Sequence, residues 1–286
     1  MGPLAIHALL CAFKSRYQSS FRPQASEDNS SSAVPLDSLS SERIASLRKE
    51  FIHDLLLAHL GIISHRFYWQ QGFGESYLCG SFVWRVDPLD IVAFQVTHGS
   101  LVSYLRTHLR AATAFRRLDW LSSRPLLPDA TTEYRGNVWS ALMHAVSEWL
   151  RVYSITLEDA YGRYVASNRT ETHELLALTR LLKPFMTNML TVAHACGVLS
   201  DARGSDVSQN VRVQSLSGLR LLAWLGRQAA STTNRSALPF LFHRATAPFL
   251  RFLHLWVQEG VHEDPFNEFA ISLNSRFLFR KGAFCF

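Results

Sequence analysis

Apolar residues in the second half of the chain recur at alternating steps of three and four, which is the spacing of one face of an α-helix. The first series is Val138, Leu142, Ala145, Trp149, Val152 and Thr156, and the second is Leu175, Leu178, Leu182, Phe185, Met189, Val192 and Cys196. Two shorter series follow: Leu216, Leu219, Leu222 and Leu225, then Phe242, Ala245, Phe249, Phe252 and Trp256. Each predicts a helix with one seam facing a partner helix. Pro184, inside the second series, predicts a kink or a division into two helices.

The first half of the chain predicts two further helices with a different segment between them. One begins at a cap formed by Ser40 or Ser41 and ends at Gly61, and its face is Ile44, Leu47, Phe51, Leu55 and Ala58. The other covers residues 88–121 and ends before Pro125. Residues 66–90 are aromatic and contain three glycines without a clear period. They are expected to form a loop with at most a short strand or turn.

These patterns predict an all-α fold of packed helical bundles with long, heptad-seamed helices, because strict alternation and hairpin dipeptides are rare. Residues 17–41 are rich in Ser with Gln, Asn and Pro, so residues 1–41 are predicted to be a flexible segment. A helical and aromatic region is expected at 42–129, and a helical core region at 130–286. No repeat of fixed length indicates a solenoid.

Composition adds limits but no activity. Of the 286 residues, 48% are hydrophobic and 18% charged, which is typical of a globular protein. The net charge is +6, but the basic residues are spread along the chain, which weakens any nucleic-acid hypothesis. The four cysteines form no C-x-x-C pair, which argues against a zinc site or a disulfide framework. No apolar run reaches the ~20 residues that a membrane span needs.

The twelve histidines and the glycine-rich segments are the candidates for metal binding or catalysis. His53, His59 and His65 are six residues apart, so they do not share a helical face, and neither His173 nor His262 begins an H-E-x-x-H motif. There is no G-x-S-x-G elbow and no phosphate-binding loop. We therefore predict no enzyme activity, no metal and no cofactor.

The segment from Arg66 to Trp69 combines one arginine with three aromatic residues. Such a pattern can stack on the bases of a nucleic acid. Without a neighbouring cluster of basic residues, an aromatic core is the favoured interpretation. Neither nucleic acid nor membrane is therefore expected as a partner. What remains is a helical protein that works through contacts with other proteins.

The most specific segment lies between Ala245 and Ile271. Gly260 is expected to close one helix in the left-handed conformation, and Asp264 to cap a second helix that has Pro265 at its first position. Glu268 then falls in the first turn of this second helix, where the helix dipole favours an anion. Trp256 and Phe269 are expected to be available to pack across the corner between the two helices.

This segment resembles the N-terminal domain of the γ-tubulin complex component family, the Spc97/Spc98-type proteins. The matching positions are Ala245, Pro248-Phe249-Leu250, Trp256, Gly260, Asp264-Pro265 and Glu268-Phe269. Supporting matches occur upstream in the family's order, at 134–164, 175–199 and 217–225, and the resemblance is good over 134–271. It is closest to the component 5 or component 6 branch, and it makes residues 130–286 the core of the family's N-terminal helical domain.

The resemblance implies a non-enzymatic scaffold subunit that touches neighbouring γ-tubulin complex components side by side and contributes to microtubule nucleation. The implied location is the cytoplasm, at microtubule-organising centres such as the centrosome and the spindle pole. After Ile271 the sequence departs from the family pattern. We therefore expect a domain truncated at its C-terminal end, which reaches γ-tubulin only through the assembled complex. Two alternatives stay open: a helical adaptor or tethering subunit of another assembly, and an enzyme with a buried polar cluster in a pocket.

Overall fold

The computed structural model describes residues 40–71, 80–123, 136–166, 174–199, 216–231, 237–269, 271–273 and 284–285. The predicted flexible segment lies outside these ranges except at its end, where Ser40 caps the first helix by accepting a hydrogen bond from the Arg43 N–H at 3.3 Å. The cap at Ser40 is therefore confirmed, as is the end of this helix before Gly61, which has φ of 73°. The division of the chain into regions stays a prediction.

The described chain is mostly helical. Its α-helices are α1 (Ser41–His59), α2 (Pro88–Phe94), α3 (His98–Ser123), α4 (Gly136–Ala166), α5 (Glu174–Ala195), α6 (Gly218–Ser231) and α7 (Ala237–His254), the last continued by a π-helical turn at Leu255–Glu259. The strands are β1 (Phe67–Gln70), β2 (Ser81–Trp84), β3 (Ser272–Leu273) and β4 (Phe284–Cys285), paired antiparallel as β1–β2 and β3–β4. The predicted all-α class is confirmed. One connected core includes Phe51 of α1, Leu142 of α4 and Leu241 of α7.

The prediction that residues 66–90 form a loop with at most a short strand or turn is wrong. This segment contains both strands of the β1–β2 hairpin and the start of α2. Phe67 is paired with Trp84 and Trp69 with Phe82, so four aromatic residues lie on one face of the hairpin. Phe67, Phe82 and Trp84 are buried in the core. The alternation was hard to detect because Tyr68 and Val83, on the opposite face, are also apolar.

The single helix predicted for 88–121 is also wrong, since the structure divides it into α2 and α3. Gln95 closes α2 in the left-handed conformation, with φ of 52°. The Thr97 hydroxyl then accepts a hydrogen bond from the Ser100 N–H at 3.2 Å, near the start of α3. Neither glycine nor proline occurs among residues 95–97, so the helical period of the sequence continues through the break.

The long helix α5 is continuous from Glu174 to Ala195, so the division expected at Pro184 does not occur. Pro184 lies on the exposed side of α5, where water can satisfy the carbonyl group that loses its N–H partner. The predicted seam is confirmed at Leu178, Leu182 and Met189, which are fully buried.

The basic aromatic segment at Arg66 belongs to the core, as the sequence analysis favoured. Arg66 is 8% exposed and donates to Asp90 Oδ1 at 2.9 Å and to Asp54 Oδ2 at 3.0 Å. Burial raises the pKa of both Asp54 and Asp90, and the guanidinium opposes this effect. The guanidinium group of Arg66 is therefore engaged in ion pairs inside the protein.

A second buried polar pair joins α1 to α3. His59 Nε2 and His108 Nδ1 are 3.0 Å apart, and both side chains are 1% exposed. Burial lowers the pKa of His108 to about 4, and burial together with His108 lowers the pKa of His59 well below its ordinary value of 6.5. The pair is therefore neutral near pH 7.

This pair predicts a loss of stability in acid. Unfolded imidazoles bind protons below about pH 6.5, whereas folded His108 binds one only near pH 4, so the free energy of unfolding falls as the pH drops across that interval. The shift at His108 corresponds to an upper limit of about 3 kcal/mol. Denaturant titrations between pH 7 and pH 4 should show a weaker decline in the double variant His59→Leu, His108→Leu. The exposed His144→Leu is the control, and equal declines in wild type and double variant would contradict the prediction.

Candidate functional site

The family-like segment begins on α7 and continues through the π-helical turn to Gly260. Pro248 lies inside α7, and Trp256 is half-buried in the turn. Gly260 has φ of 67° and ψ of 14°, and the Val261 N–H returns to the Leu255 carbonyl at 3.3 Å. The prediction that Gly260 ends a helix in the left-handed conformation is confirmed.

The second helix expected after Gly260 does not form, which corrects the predicted helix–corner–helix. Asp264 does not act as a helix cap: its carboxylate accepts hydrogen bonds from the Glu268 N–H at 3.1 Å and the Phe269 N–H at 3.0 Å. Pro265 lies in a turn, and Asn267 has φ of 51°, which interrupts any helical continuation. Asp264 therefore closes a compact loop.

Glu268 meets a helix N-terminus, but a different one from that predicted. Its Oε2 accepts a hydrogen bond from the Asn137 N–H at 2.6 Å, and its Oε1 accepts one from the Val138 N–H at 3.2 Å. Both N–H groups belong to the first turn of α4, 131 and 130 residues earlier in the chain. The carboxylate therefore caps α4, where free N–H groups and the helix dipole favour a negative charge.

Two glycines make room for Glu268 at the start of two helices. Gly136 opens α4 with φ of 83°, and a Cβ there would lie 2.8 Å from Glu268 Cγ. Gly218 opens α6 with φ of 51°, and a Cβ there would lie 2.7 Å from Glu268 Cα. The Leu219 N–H also donates to the Glu268 carbonyl at 3.1 Å. We call the group Gly136, Gly218, Asp264, Glu268 and Phe269 the Glu268 clasp.

Phe269 attaches the same loop to α7. Its ring stacks on Phe252, with the ring centroids 4.5 Å apart, and lies 5.3 Å from Phe249. The predicted partner across the corner was Trp256, whereas these two rings lie one and two helical turns before it. The clasp thus connects the N-termini of α4 and α6 to the apolar face of α7.

The electrostatics of the clasp suit a structural tie. Burial raises the pKa of Glu268, the Asn137 and Val138 N–H groups oppose this, and Asp264 adds to it. The hydrogen-bonding groups of Glu268 are engaged by backbone N–H groups, so the arrangement contains no acid–base pair directed at a substrate. What it can do is fix three helices relative to one another.

Removing the charge of Glu268 is expected to weaken this tie. Glu268→Gln keeps the size of the side chain but places an NH₂ group where two N–H donors converge, so we expect the free energy of unfolding to fall by about 1–2 kcal/mol. Denaturant unfolding at pH 7 measures the change. The matched control is Glu263→Gln, on an exposed residue of the same loop. Equal stability of the two variants would contradict the role given to the carboxylate.

Other chemistry is limited within the part of the chain that the structure describes. It contains no group of three or more His, Cys, Asp or Glu side chains able to hold a metal ion. None of its helices has the length and apolar character needed to cross a lipid bilayer. Cys196 is buried, and burial raises the pKa of its thiol to about 12, so the thiol is protonated at neutral pH.

Gly136 and Gly218 were not predicted as site residues from the sequence. Gly136 lies two residues before Val138, where the first apolar series begins, and Gly218 lies inside the series that begins at Leu216. Neither glycine has a side chain able to cap a helix. The absence of a capping side chain at these two positions was the signal in the sequence, because a helix without its own cap needs a hydrogen-bond acceptor from elsewhere in the chain.

Comparisons with known proteins agree with this architecture. The sequence model of the family described as "Gamma tubulin complex component N-terminal" matches residues 52–280. The chain is similar to gamma-tubulin complex component 6 of Homo sapiens, with 24% identity over 232 residues, which cover 80% of this chain and 12% of the relative. It is also similar to gamma-tubulin complex component 6 of Mus musculus, with 26% identity over 182 residues, which cover 63% of this chain and 10% of the relative.

The chain thus spans only about a tenth of the length of the relatives it matches. Of the two branches that the sequence resembles, the relatives support component 6. The family model covers most of the described helices and includes the whole Glu268 clasp. The chain therefore belongs to the gamma-tubulin complex component family, through the N-terminal region of that family.

Proposed function

We propose that this chain is a non-enzymatic scaffold subunit of a γ-tubulin complex. The observation that carries the proposal is the family match over residues 52–280, which includes the residues that build the clasp. In this role the chain contributes to microtubule nucleation at microtubule-organising centres in the cytoplasm. It acts through lateral contacts with neighbouring components, and it reaches γ-tubulin indirectly, through the assembled complex.

The proposed scaffold role needs helices that keep a fixed relative position under load. The clasp supports this, since one short loop holds α4, α6 and α7 through a carboxylate, a carbonyl group and an aromatic ring. A second tie across α4 and α7 is the ion pair between Glu148 and Arg244 Nη2, at 3.2 Å, although it is exposed and contributes little energy.

The proposed lateral contact requires exposed apolar side chains on a rigid helix. Val152 and Ile155 of α4 are 49% and 42% exposed, although Val152 had been assigned to the core from sequence. They are about one turn apart and follow Glu148, which lies on the same exposed side. We expect a neighbouring component to cover them.

The test is affinity capture of the tagged chain from a cell extract, followed by identification of the bound proteins by mass spectrometry. We expect γ-tubulin complex components, and we expect the double variant Val152→Asp, Ile155→Asp to lose them while its unfolding midpoint is kept. Val165→Asp is the matched control, because Val165 is 52% exposed near the end of the same helix. Capture of an unrelated tethering assembly would overturn the proposal in favour of the adaptor alternative.

A second measurement separates indirect from direct contact with γ-tubulin. We expect purified γ-tubulin alone not to co-sediment with the purified chain. Stoichiometric co-sedimentation would overturn the indirect route while leaving membership in the complex intact.

A further inference from the structure

A surface cavity of about 270 Å³ lies between α1, α2, α3 and the start of α5. The described residues that line it include six with apolar or aromatic side chains: Phe94, Val96, Leu101, Tyr104, Leu175 and Leu176. The Tyr104 hydroxyl donates a hydrogen bond to the Leu175 carbonyl at 3.2 Å, which joins the α3 wall to the α5 wall. A dry cavity of roughly 150 Å³ already holds a benzene ring, so this one has room for a planar group on an apolar stem.

Glu174, in the first turn of α5, contributes an unsatisfied polar atom to the wall of the cavity. Its Oε2 is buried, and none of the residues that the structure describes donates a hydrogen bond to it. The helix dipole favours a negative charge at this position, whereas a buried acceptor without a donor is costly. The cavity therefore presents an anionic acceptor that a donor entering from outside would satisfy.

Arg48 also borders the cavity, but its donors are not in the same situation. Its Nε donates to the Ala93 carbonyl at 2.6 Å, and its guanidinium lies 6.0 Å from the centre of the Phe94 ring. The residue is half-buried, and none of its nitrogen atoms is among the buried unsatisfied atoms of the described chain. The missing hydrogen bond therefore belongs to the carboxylate of Glu174, and the group that completes it is a cation rather than an anion.

Among cations, a guanidinium group suits these walls best. It is planar and more weakly hydrated than an ammonium group, and its face can stack on an aromatic ring. Its N–H groups can donate to Glu174 Oε2 while an apolar stem contacts Leu101 and Leu175. Leu176, also in the wall, keeps 57% of its surface exposed, so the surface beside the cavity is apolar as well. An arginine with apolar neighbours matches both the cavity and this surface.

We propose that this cavity binds an arginine side chain of a partner protein, with the guanidinium group on Glu174 Oε2 and apolar residues of the partner covering Leu176. Arginine is enriched among the residues that dominate the binding energy of protein interfaces. The described residues that line the cavity come from α1, α2, α3, α5 and the link before α3, whereas the contact proposed above uses α4. The arginine site is therefore separate from that contact and does not rest on a role in the γ-tubulin complex.

Benzamidine, an aromatic amidinium, is the first probe, titrated into the full chain and followed by the amide NMR signals of Leu101 and Leu176. We expect saturable shifts, with an affinity about tenfold lower for the neutral analogue benzamide, and about tenfold lower for benzamidine on Glu174→Gln. Glu42→Gln is the matched control, because it removes the charge of an exposed glutamate in the first turn of α1. Unchanged affinity in Glu174→Gln, or tighter binding of benzoate than of benzamidine, would overturn the proposal.

A pair of tripeptides tests whether the occupant is a protein side chain. Acetyl-Leu-Arg-Leu-amide should bind about tenfold more tightly than the same peptide with citrulline, which is a neutral isostere of arginine. Binding of benzamidine without binding of the arginine peptide would overturn the assignment to a protein partner. Signals that move when the free protein is diluted would overturn it in favour of a second copy of this chain. None of these readouts depends on capture of γ-tubulin complex components.

Discussion

Gly218→Ala is expected to destabilise the protein by about 3 kcal/mol. Gly218 has φ of 51°, which a residue with a Cβ adopts only at a cost, and its new Cβ would overlap the Glu268 carbonyl. Because the neighbour is backbone, the overlap cannot be relieved by rotating a side chain. The Leu219 N–H bond to the same carbonyl would also be lost when the two segments separate.

Gly260→Ala is the matched control for Gly218→Ala. Gly260 has a similar φ of 67°, but its hypothetical Cβ has no atom within 4 Å apart from its immediate neighbours. Gly260→Ala should therefore lower the free energy of unfolding only by the cost of a positive φ at a residue with a Cβ, about 1–2 kcal/mol. Denaturant midpoints with unchanged slopes measure both losses. Equal losses would mean that the contact with Glu268 has no energetic weight.

Gly136→Ala distinguishes the contact made by the side chain of Glu268 from the contact made by its backbone. Its Cβ would meet the Glu268 side chain, whereas that of Gly218 would meet Glu268 backbone atoms. A side chain can move aside, but only by giving up the N–H groups of Asn137 and Val138. Gly136→Ala should therefore raise amide exchange at the start of α4 more than at the start of α6.

The helices could be predicted from sequence because their apolar period is long and strong, but the assignment of faces was reliable only locally. On α4 the predicted seam matches the buried residues Val138, Leu142 and Ala145. It then fails at Val152, which is exposed, while Tyr153 is 5% exposed. The predicted seam repeats every 3.5 residues, whereas a helix that is not supercoiled has 3.6 residues per turn. Over about four turns the predicted seam therefore moves away from the face that is buried.

The clasp was beyond sequence reasoning for a different reason. Asp264, Pro265 and Glu268 have the residue types and spacing of a helix start, and local propensity alone favours that interpretation. Glu268 instead reaches an uncapped helix that begins 132 positions earlier, at Gly136, so the tertiary contact overrides the local preference. No repeating pattern in the sequence indicates that two positions so far apart in the chain are in contact.

Arg117→Met is expected to cost about 3 kcal/mol, since it removes a buried charge-assisted link between three elements. Arg117, on α3, is 3% exposed. Its Nε and Nη2 donate to the Gly80 carbonyl before β2, at 3.0 and 2.7 Å, and its Nη1 donates to the Val198 carbonyl after α5, at 2.9 Å. Methionine fills a similar volume but leaves both carbonyl groups without these donors.

The comparison with two other variants shows whether the fork of donors is what matters. Arg106→Met changes an exposed arginine on the same helix and should alter the free energy of unfolding by less than about 0.5 kcal/mol. Arg117→Lys keeps the charge but has a single ammonium, which cannot serve both carbonyl groups in the same geometry, so its loss should lie between the other two. Hydrogen exchange should locate the damage in the β1–β2 hairpin and at the end of α5. If Arg117→Lys is as stable as the wild type, charge alone suffices and the bridging geometry has no role.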